Sequence, residues 1–172
     1  YGVSVLMRYT YRLLTQQQFQ RAAALMCSCE RKRQKDKVWD SKKVWYDKNG
    51  HKKIGKEVEK WGTEPFLVGL YVGDTTTPNY LTTAEKNLNW YKSKYPFNPL
   101  KEQNPVQIIN CPRCGMKLTP HNYHISKNPK RMIVKCANMK CYFGDKDKEE
   151  RFLPVVMTDD DIVSTLPSLL IG

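Results

Sequence analysis

The stretch Phe66-Leu67-Val68-Gly69-Leu70-Tyr71-Val72-Gly73 is almost wholly apolar and is followed by turn-forming and hydroxyl residues at 74–79. A continuous apolar run of this kind predicts a strand that is buried on both faces, as in the centre of a parallel sheet. Residues 3–8 have the same character, and residues 152–157 predict a further apolar strand. Shorter strands are expected at 106–110 and from 169 to the end of the chain.

Helix signals follow these strands. Thr15-Gln16-Gln17-Gln18 has the form of a capping box, in which a hydroxyl and a glutamine satisfy the first backbone N–H groups of a helix. Thr82-Thr83-Ala84-Glu85 predicts a second capped helix to about Tyr95, which Pro96 and Pro99 would end. The first helix shows an apolar face at helical spacing, made of Phe19, Ala22, Ala23, Met26 and Cys29.

Three acidic residues, Asp159, Asp160 and Asp161, follow Thr158 at the carboxyl end of the last long apolar stretch. Acids in this position could bind magnesium, as in a Walker-B-like ATPase site or a metallonuclease. We favour the other interpretation, in which Thr158 caps a helix and the acids offset its dipole. The alternation of strands and helices predicts an α/β fold with a parallel, helix-covered sheet.

The chain of 172 residues carries a formal charge of +12, and its pI is near 9.4. Residues 31–60 hold twelve Lys/Arg against five Asp/Glu, and the Asn49-Gly50 pair predicts a β-hairpin within them. Such a basic region attracts phosphates, and its aromatic residues could stack on bases. We favour the alternative for the aromatics, that they cover a segment with little core of its own.

Four cysteines have the spacing of a tetrahedral metal site, with a CxxC pair followed by a second, wider pair. These predicted zinc ligands are Cys111, Cys114, Cys136 and Cys141. Gly115 lets the backbone approach the first two sulfurs. Four thiolates leave no open position on zinc, so we expect a structural ion that does not activate water.

Other candidate ligands are less favoured. His121 and His124 could replace a cysteine, but four thiolates already complete the shell, so we interpret them as exposed loop residues. Cys27 and Cys29 lie two residues apart on the first helix and therefore point to different faces. Disulfides and a thioredoxin-like redox motif are not expected, because the chain shows neither a secretory signal nor a membrane-spanning stretch and is predicted to be cytoplasmic.

Several motifs together resemble the helicase-like proteins of bacterial DISARM anti-phage systems, which are superfamily 2 helicases. The resemblance covers most of the chain except residues 31–62, and it rests on residues 3–15 with Gln17, Gln18 and Phe19, on 69–73 with 77–79, on 111–114 and on 166–172.

This resemblance implies that the chain is an internal fragment of the first RecA-like domain of a longer protein. The RecA-like parts would be residues 1–30, 63–110 and 144–172, with a basic Trp-rich insertion at 31–62 and a zinc ribbon at 111–143. Arg8, Tyr9, Thr10, Arg12 and Thr15 would contact the DNA backbone in a sequence-independent way.

The chain has no GxxxxGK[ST] loop and no convincing DExx box. We therefore expect no ATP hydrolysis from it alone, with ATP and Mg²⁺ bound only by the whole parent protein. Other defence-system subunits are possible partners. The alternative hypothesis is a non-enzymatic zinc-ribbon module that binds nucleic acid or docks a protein.

Overall fold

The computed structural model describes residues 2–97, 101–144 and 151–172. The strands follow the chain as β1 (Val5–Met7), β2 (Lys37–Tyr46), β3 (Lys52–Glu59), β4 (Val68–Leu70), β5 (Tyr123–Lys127), β6 (Lys130–Val134), β7 (Val155–Val156) and β8 (Leu169–Ile171). The helices are α1 (Arg12–Lys35), α2 (Leu81–Lys94) and α3 (Asp159–Thr165), with single 3₁₀ turns at Pro120–Asn122 and Tyr142–Gly144. Pro99 and the side chain of Arg12 lie outside the described residues.

A four-stranded parallel sheet forms the centre of the molecule, in the strand order β1-β8-β4-β7. All three residues of β4 are buried, as the apolar sequence predicts. Helix α1 packs against β4 and β8, so one face of the sheet is covered by a long helix. The predicted mixed α/β fold with a parallel, helix-flanked sheet is confirmed.

Strand β1 differs from the expectation of a buried strand. It lies at the edge of the sheet and pairs only with β8 among the described strands, which leaves all three of its residues exposed. Leu6 is 69% exposed. The apolar sequence correctly indicates a strand. Its burial, however, depends on the neighbouring elements that cover it, and the sequence of β1 carries no information about them.

The predicted caps of the first two helices are wrong. Helix α1 begins three residues earlier than the capping box, and the Thr15 hydroxyl donates to the carbonyl of Tyr11 (3.2 Å) inside its first turn. Helix α2 begins at Leu81, whose N–H donates to Asp160 Oδ2 (2.8 Å). The cap of α2 therefore comes from a residue far along the chain, which a local pattern cannot predict.

The third helix follows its predicted cap. The Thr158 hydroxyl accepts a hydrogen bond from the N–H of Asp161 (3.2 Å), and the three acids occupy the first turn.

Two expected strands are shorter or absent. Only Val155–Val156 of the 152–157 stretch pairs with a neighbour, and residues 106–110 make a single bridge, between Asn110 and Lys117.

In the segment 106–110, a side chain takes the place of a neighbouring strand at Ile108. The buried Tyr123 hydroxyl donates to the carbonyl of Ile108 (2.7 Å) and accepts from its N–H (2.9 Å). This pair of bonds ties the segment before the first cysteine to β5. The cysteine region and the sheet share one core, which includes Phe19, Val68, Leu118, Tyr123, Val134 and Phe143.

Two antiparallel hairpins leave this core. One pairs β2 with β3 around the predicted turn, where Gly50 has φ +80°, and the other pairs β5 with β6. None of the helices in the described parts of the chain is long and apolar enough to cross a membrane.

Candidate metal centre and nucleic-acid interface

The first cysteine pair lies on a tight turn. The N–H of Cys111 donates to the carbonyl of Met116, and the N–H of Gly115 donates to the carbonyl of Cys111 (both 2.8 Å). Gly115 has φ +75°, a backbone conformation that residues other than glycine rarely adopt. The turn brings the backbone around the Cys111 and Cys114 sulfurs, as the CxxCG sequence predicts.

The second pair has a wider spacing and a different turn. The N–H of Asn138 points at the sulfur of Cys136 (3.4 Å), and its carbonyl accepts from the N–H of Cys141 (2.9 Å). Gly144 closes this turn, because a Cβ at this position would lie 2.1 Å from the Asn138 carbonyl oxygen. This turn accommodates the four residues that lie between Cys136 and Cys141.

The four predicted ligands converge, since the sulfurs of Cys111, Cys114, Cys136 and Cys141 all lie within 4.8 Å of one another. Sulfurs around a tetrahedral zinc ion, each about 2.3 Å from the metal, are about 3.8 Å apart. The Cys114 and Cys136 sulfurs are 3.5 Å apart, which matches this geometry. Cys114 is exposed and the other three are buried.

Ionisation of the buried thiols requires a compensating charge. Burial raises the pKa of Cys111 to about 11 and also raises the pKa of Cys136. Burial opposes ionisation of Cys114 too, but the N–H of Met116 and the neighbouring thiols outweigh it and lower its pKa. Buried thiolates need a compensating positive charge, which a divalent metal supplies.

The other sulfur and imidazole candidates stay outside this cluster. Cys27 is buried in the same core, where burial and the neighbouring cysteines raise its pKa, and Cys29 is half-buried. His121 and His124 are both exposed, although His124 lies on β5 and not in a loop. Partial desolvation of the ring and the nearby charges of Lys92 and Lys135 lower the pKa of His124.

Two of the three acidic residues of α3 make structural contacts. Asp160 caps α2, while Asp161 is buried and its Oδ2 accepts the N–H of Met132 (3.0 Å) on β6. No group of carboxylates among the described residues converges as the four cysteines do. The arrangement supports the helix-cap interpretation over a magnesium site.

The carboxyl ends of β1, β4 and β8 meet around a crevice of about 650 Å³. The loop after β1 is held there because the N–H of Tyr9 donates to the carbonyl of Gly172 (2.7 Å). A Cβ on Gly172 would lie 2.7 Å from the carbonyl oxygen of Tyr71, so the backbones approach closely. The polar residues that line the crevice are Arg8, Tyr9, Thr10, Thr15, Tyr71, Thr75 and Thr76.

The structure thus brings four of the five predicted DNA-contacting residues together, and the side chain of Arg12 is outside the described residues. Thr75 and Thr76 were not among the sequence candidates, although they follow the central strand β4. Their position after an apolar strand is the signal that would have indicated them, because parallel strands end at one edge of a sheet.

The molecule belongs structurally to the mixed α/β proteins with a parallel sheet and a four-cysteine cluster that fits a zinc site. Over 175 aligned residues, 99% of its length, the chain is 29% identical to the DISARM protein DrmA of Bacillus paralicheniformis. It spans only 13% of the length of that relative. The resemblance seen in the sequence motifs is therefore confirmed. No family model matches the chain.

Proposed function

We propose that the chain is part of a cytoplasmic, ATP-dependent DNA helicase or translocase of an anti-phage defence system. In this proposal the chain contributes contacts to the DNA backbone and a structural zinc ion, and the rest of the protein binds ATP and Mg²⁺. The observation that carries the proposal is the alignment of 99% of the chain with a DISARM protein.

The strand-end crevice supports a DNA contact. An arginine and several hydroxyls surround an opening at the carboxyl edge of the parallel sheet, the edge where ligands bind in open α/β sheets. Arginine and hydroxyl side chains bind phosphates without reading bases. Such contacts suit an enzyme that moves along DNA of any sequence.

The cysteine cluster supports a structural role for the metal. Four thiolates fill a tetrahedral shell, so the ion would hold the two cysteine turns together and leave no position for substrate. Cys111, Cys114, Cys136 and Cys141 would be its ligands. The RecA-like character of the sheet and the involvement of other defence subunits are further parts of the proposal.

The experiment measures binding of the chain to a labelled DNA duplex by fluorescence polarisation over a series of salt concentrations. We expect weak binding that fades steeply with salt, and Arg8→Gln should lower the salt slope by about 0.9, the value of one phosphate contact. Arg21→Gln is the matched control, because it removes one exposed arginine of α1 outside the crevice.

Two results would contradict the proposal. One is binding that does not change between low and high salt, and the other is an equal effect of the Arg8 and Arg21 substitutions. The reading frame that encodes the chain gives a separate test of the helicase part. A nucleotide-binding loop upstream and an acidic ATPase motif downstream are expected, and their absence would favour the non-enzymatic zinc-ribbon module.

A further inference from the structure

The β2–β3 hairpin is exposed on both faces. Of all the residues in its two strands only Gly55 is buried, and the pairing shifts between Asp40 and Val44. This irregularity places Lys42 and Lys43 side by side in a bulge, where the N–H of Lys42 donates to Asp40 Oδ1 (2.9 Å). A hairpin with so little buried surface has another use for its side chains than packing.

The hairpin carries a surplus of positive charge. Residues 37–60 contain eight lysines and four acidic residues, a formal charge of +4. Several acids are already engaged, since Glu59 pairs with Arg33 and Lys37 while Asp47 accepts N–H groups in the turn. Six of the eight lysines form no ion pair with any residue in the described ranges: Lys42, Lys43, Lys48, Lys52, Lys56 and Lys60. Of these, Lys56 and Lys60 lie over the rings of Trp45 and Trp61.

Two exposed aromatic side chains lie among these lysines. Trp39 is 67% exposed, and its ring rests on Gly55, where a Cβ would lie 2.5 Å from ring atom Cζ2. The Gly55 carbonyl also accepts the indole N–H of Trp45 (3.0 Å), which fixes the support under the ring. Tyr46 is 66% exposed and stands opposite Lys52.

The base of the hairpin is held firmly. Arg33 of α1, only 5% exposed, donates to both oxygens of Glu30 (2.6 and 2.8 Å), to Glu59 of β3 (3.0 Å) and to the carbonyl of Gly62 (2.8 Å). The hairpin is therefore a positioned arm and not a loose loop. A ligand that meets the arm finds its aromatic and basic groups already arranged.

We propose that the β2–β3 hairpin is a second nucleic-acid-binding surface, specific for strands with unpaired bases. Lys42 and Lys43 pair with phosphates, while Trp39 and Tyr46 stack on bases. Lysines with adjacent aromatic platforms are the combination that binds single strands of any sequence. The choice of DNA as the nucleic acid rests on the proposed function, but the surface is separate from the strand-end crevice.

The experiment compares binding of the whole chain to a labelled 20-nucleotide oligo-dT and to a blunt 20-base-pair duplex. Lys42→Gln combined with Lys43→Gln should weaken oligo-dT binding at least threefold at low salt and lower the salt slope by about 1.4, for two single-strand phosphate contacts. The matched control is Lys127→Gln with Lys130→Gln, which removes two exposed lysines from the β5–β6 hairpin and should change binding less than twofold.

The aromatic variants test stacking. Trp39→Ala and Tyr46→Ala should each weaken oligo-dT binding about fivefold or more, because stacking contributes ~1–3 kcal/mol per base, and should change duplex binding less than twofold. Tyr46 is exposed, so its variant keeps the test valid if Trp39→Ala alters the hairpin.

Three outcomes would overturn the hairpin proposal: wild-type affinity in all hairpin variants, an equal loss in the lysine control, or no oligo-dT binding by the wild type. Arg8→Gln separates this proposal from the previous one. A loss with Arg8→Gln but none with the hairpin variants overturns the hairpin surface alone. The reverse pattern overturns the crevice contact alone and supports the hairpin.

Discussion

The two antiparallel hairpins of the molecule are stabilised in opposite ways. The β5–β6 hairpin buries Tyr123, Met132 and Val134 in the core and lies between the two cysteine turns. The β2–β3 hairpin buries almost nothing and depends on the contacts at its base. The comparison shows that one chain can order one hairpin by burying its apolar side chains and another by a buried arginine at its base.

A buried charged residue attaches each hairpin, and the two residues differ in how completely they are bonded. Arg33 reaches two carboxylates and a carbonyl at the base of β2–β3. Asp161 uses one oxygen for Met132 of β6, and its Oδ1 has no hydrogen-bond partner in the described part of the chain. We therefore expect a larger effect from the loss of Arg33.

The largest expected effect is loss of the metal. We predict about one zinc ion per chain, and Cys114→Ser should abolish its binding. Since zinc bound by small folds contributes on the order of 10 kcal/mol, the shared core should be destabilised, and β5–β6 should lose more amide protection than β2–β3. Metal analysis and amide hydrogen exchange of the two hairpins measure these changes.

Cys29→Ser is the control for the metal prediction, because Cys29 is half-buried in α1 and lies outside the cysteine cluster. It should leave both the metal content and the exchange rates unchanged. A metal-free wild type with full protection of β5–β6 would show that apolar burial alone orders this hairpin.

The second effect concerns the base of the β2–β3 hairpin, where Arg33 bonds to Glu59 and Gly62. Arg33→Met leaves Glu30 buried without its cation, and loss of one partner of a buried pair costs about 3–5 kcal/mol. The free energy of unfolding in urea should fall by roughly 3 kcal/mol or more, with faster amide exchange in β2–β3 than in β5–β6. Arg31→Met, at an exposed position of the same helix, should change stability little. Equal stability of the two variants would refute the role of Arg33.

The smallest effect comes from Asp161. Asp161→Ala leaves the buried N–H of Met132 unpaired and should cost about 1–2 kcal/mol. Asp161→Asn keeps an acceptor and should cost less.

The pH dependence of the Asp161 contribution distinguishes these variants from a simple packing change. Burial raises the pKa of Asp161, so the folded protein holds this proton more tightly than the unfolded chain. Its contribution to stability is therefore greatest at low pH and is lost as pH rises from the unfolded value, about 3.9, through the raised folded pKa. Urea unfolding between pH 4 and 7 should show this decline in the wild type and a flatter profile in Asp161→Asn. Parallel pH profiles of stability in the wild type and in Asp161→Asn would be evidence against this contribution of Asp161.

Features with a local cause could be predicted from the sequence. The apolar run of β4, the Asn49-Gly50 turn, the Thr158 cap and the four converging cysteines each follow from neighbouring residues or ligand spacing. The structure and the pattern agree at these places because the signal lies in neighbouring residues or in the characteristic spacing of ligand residues.

Features with a distant cause could not be predicted. The cap of α2 comes from Asp160, and the backbone of Ile108 is engaged by the Tyr123 hydroxyl, so neither the start of α2 nor the absence of a strand at 106–110 has a local signal. At the base of the β2–β3 hairpin, Arg33 bonds to Glu59, which lies 26 residues further along the chain. Each of these contacts joins residues that are far apart in the sequence.

Two side chains also link the base of the β2–β3 hairpin to the residue next to the cysteine cluster. Gln34, beside Arg33, donates to Glu30 and accepts a hydrogen bond from the hydroxyl of Tyr142, the residue that follows Cys141. The base of the hairpin and the second cysteine turn are thus joined through the end of α1. A change in the position of this end of α1 would therefore reach Tyr142, and with it the second cysteine turn, through a single side chain.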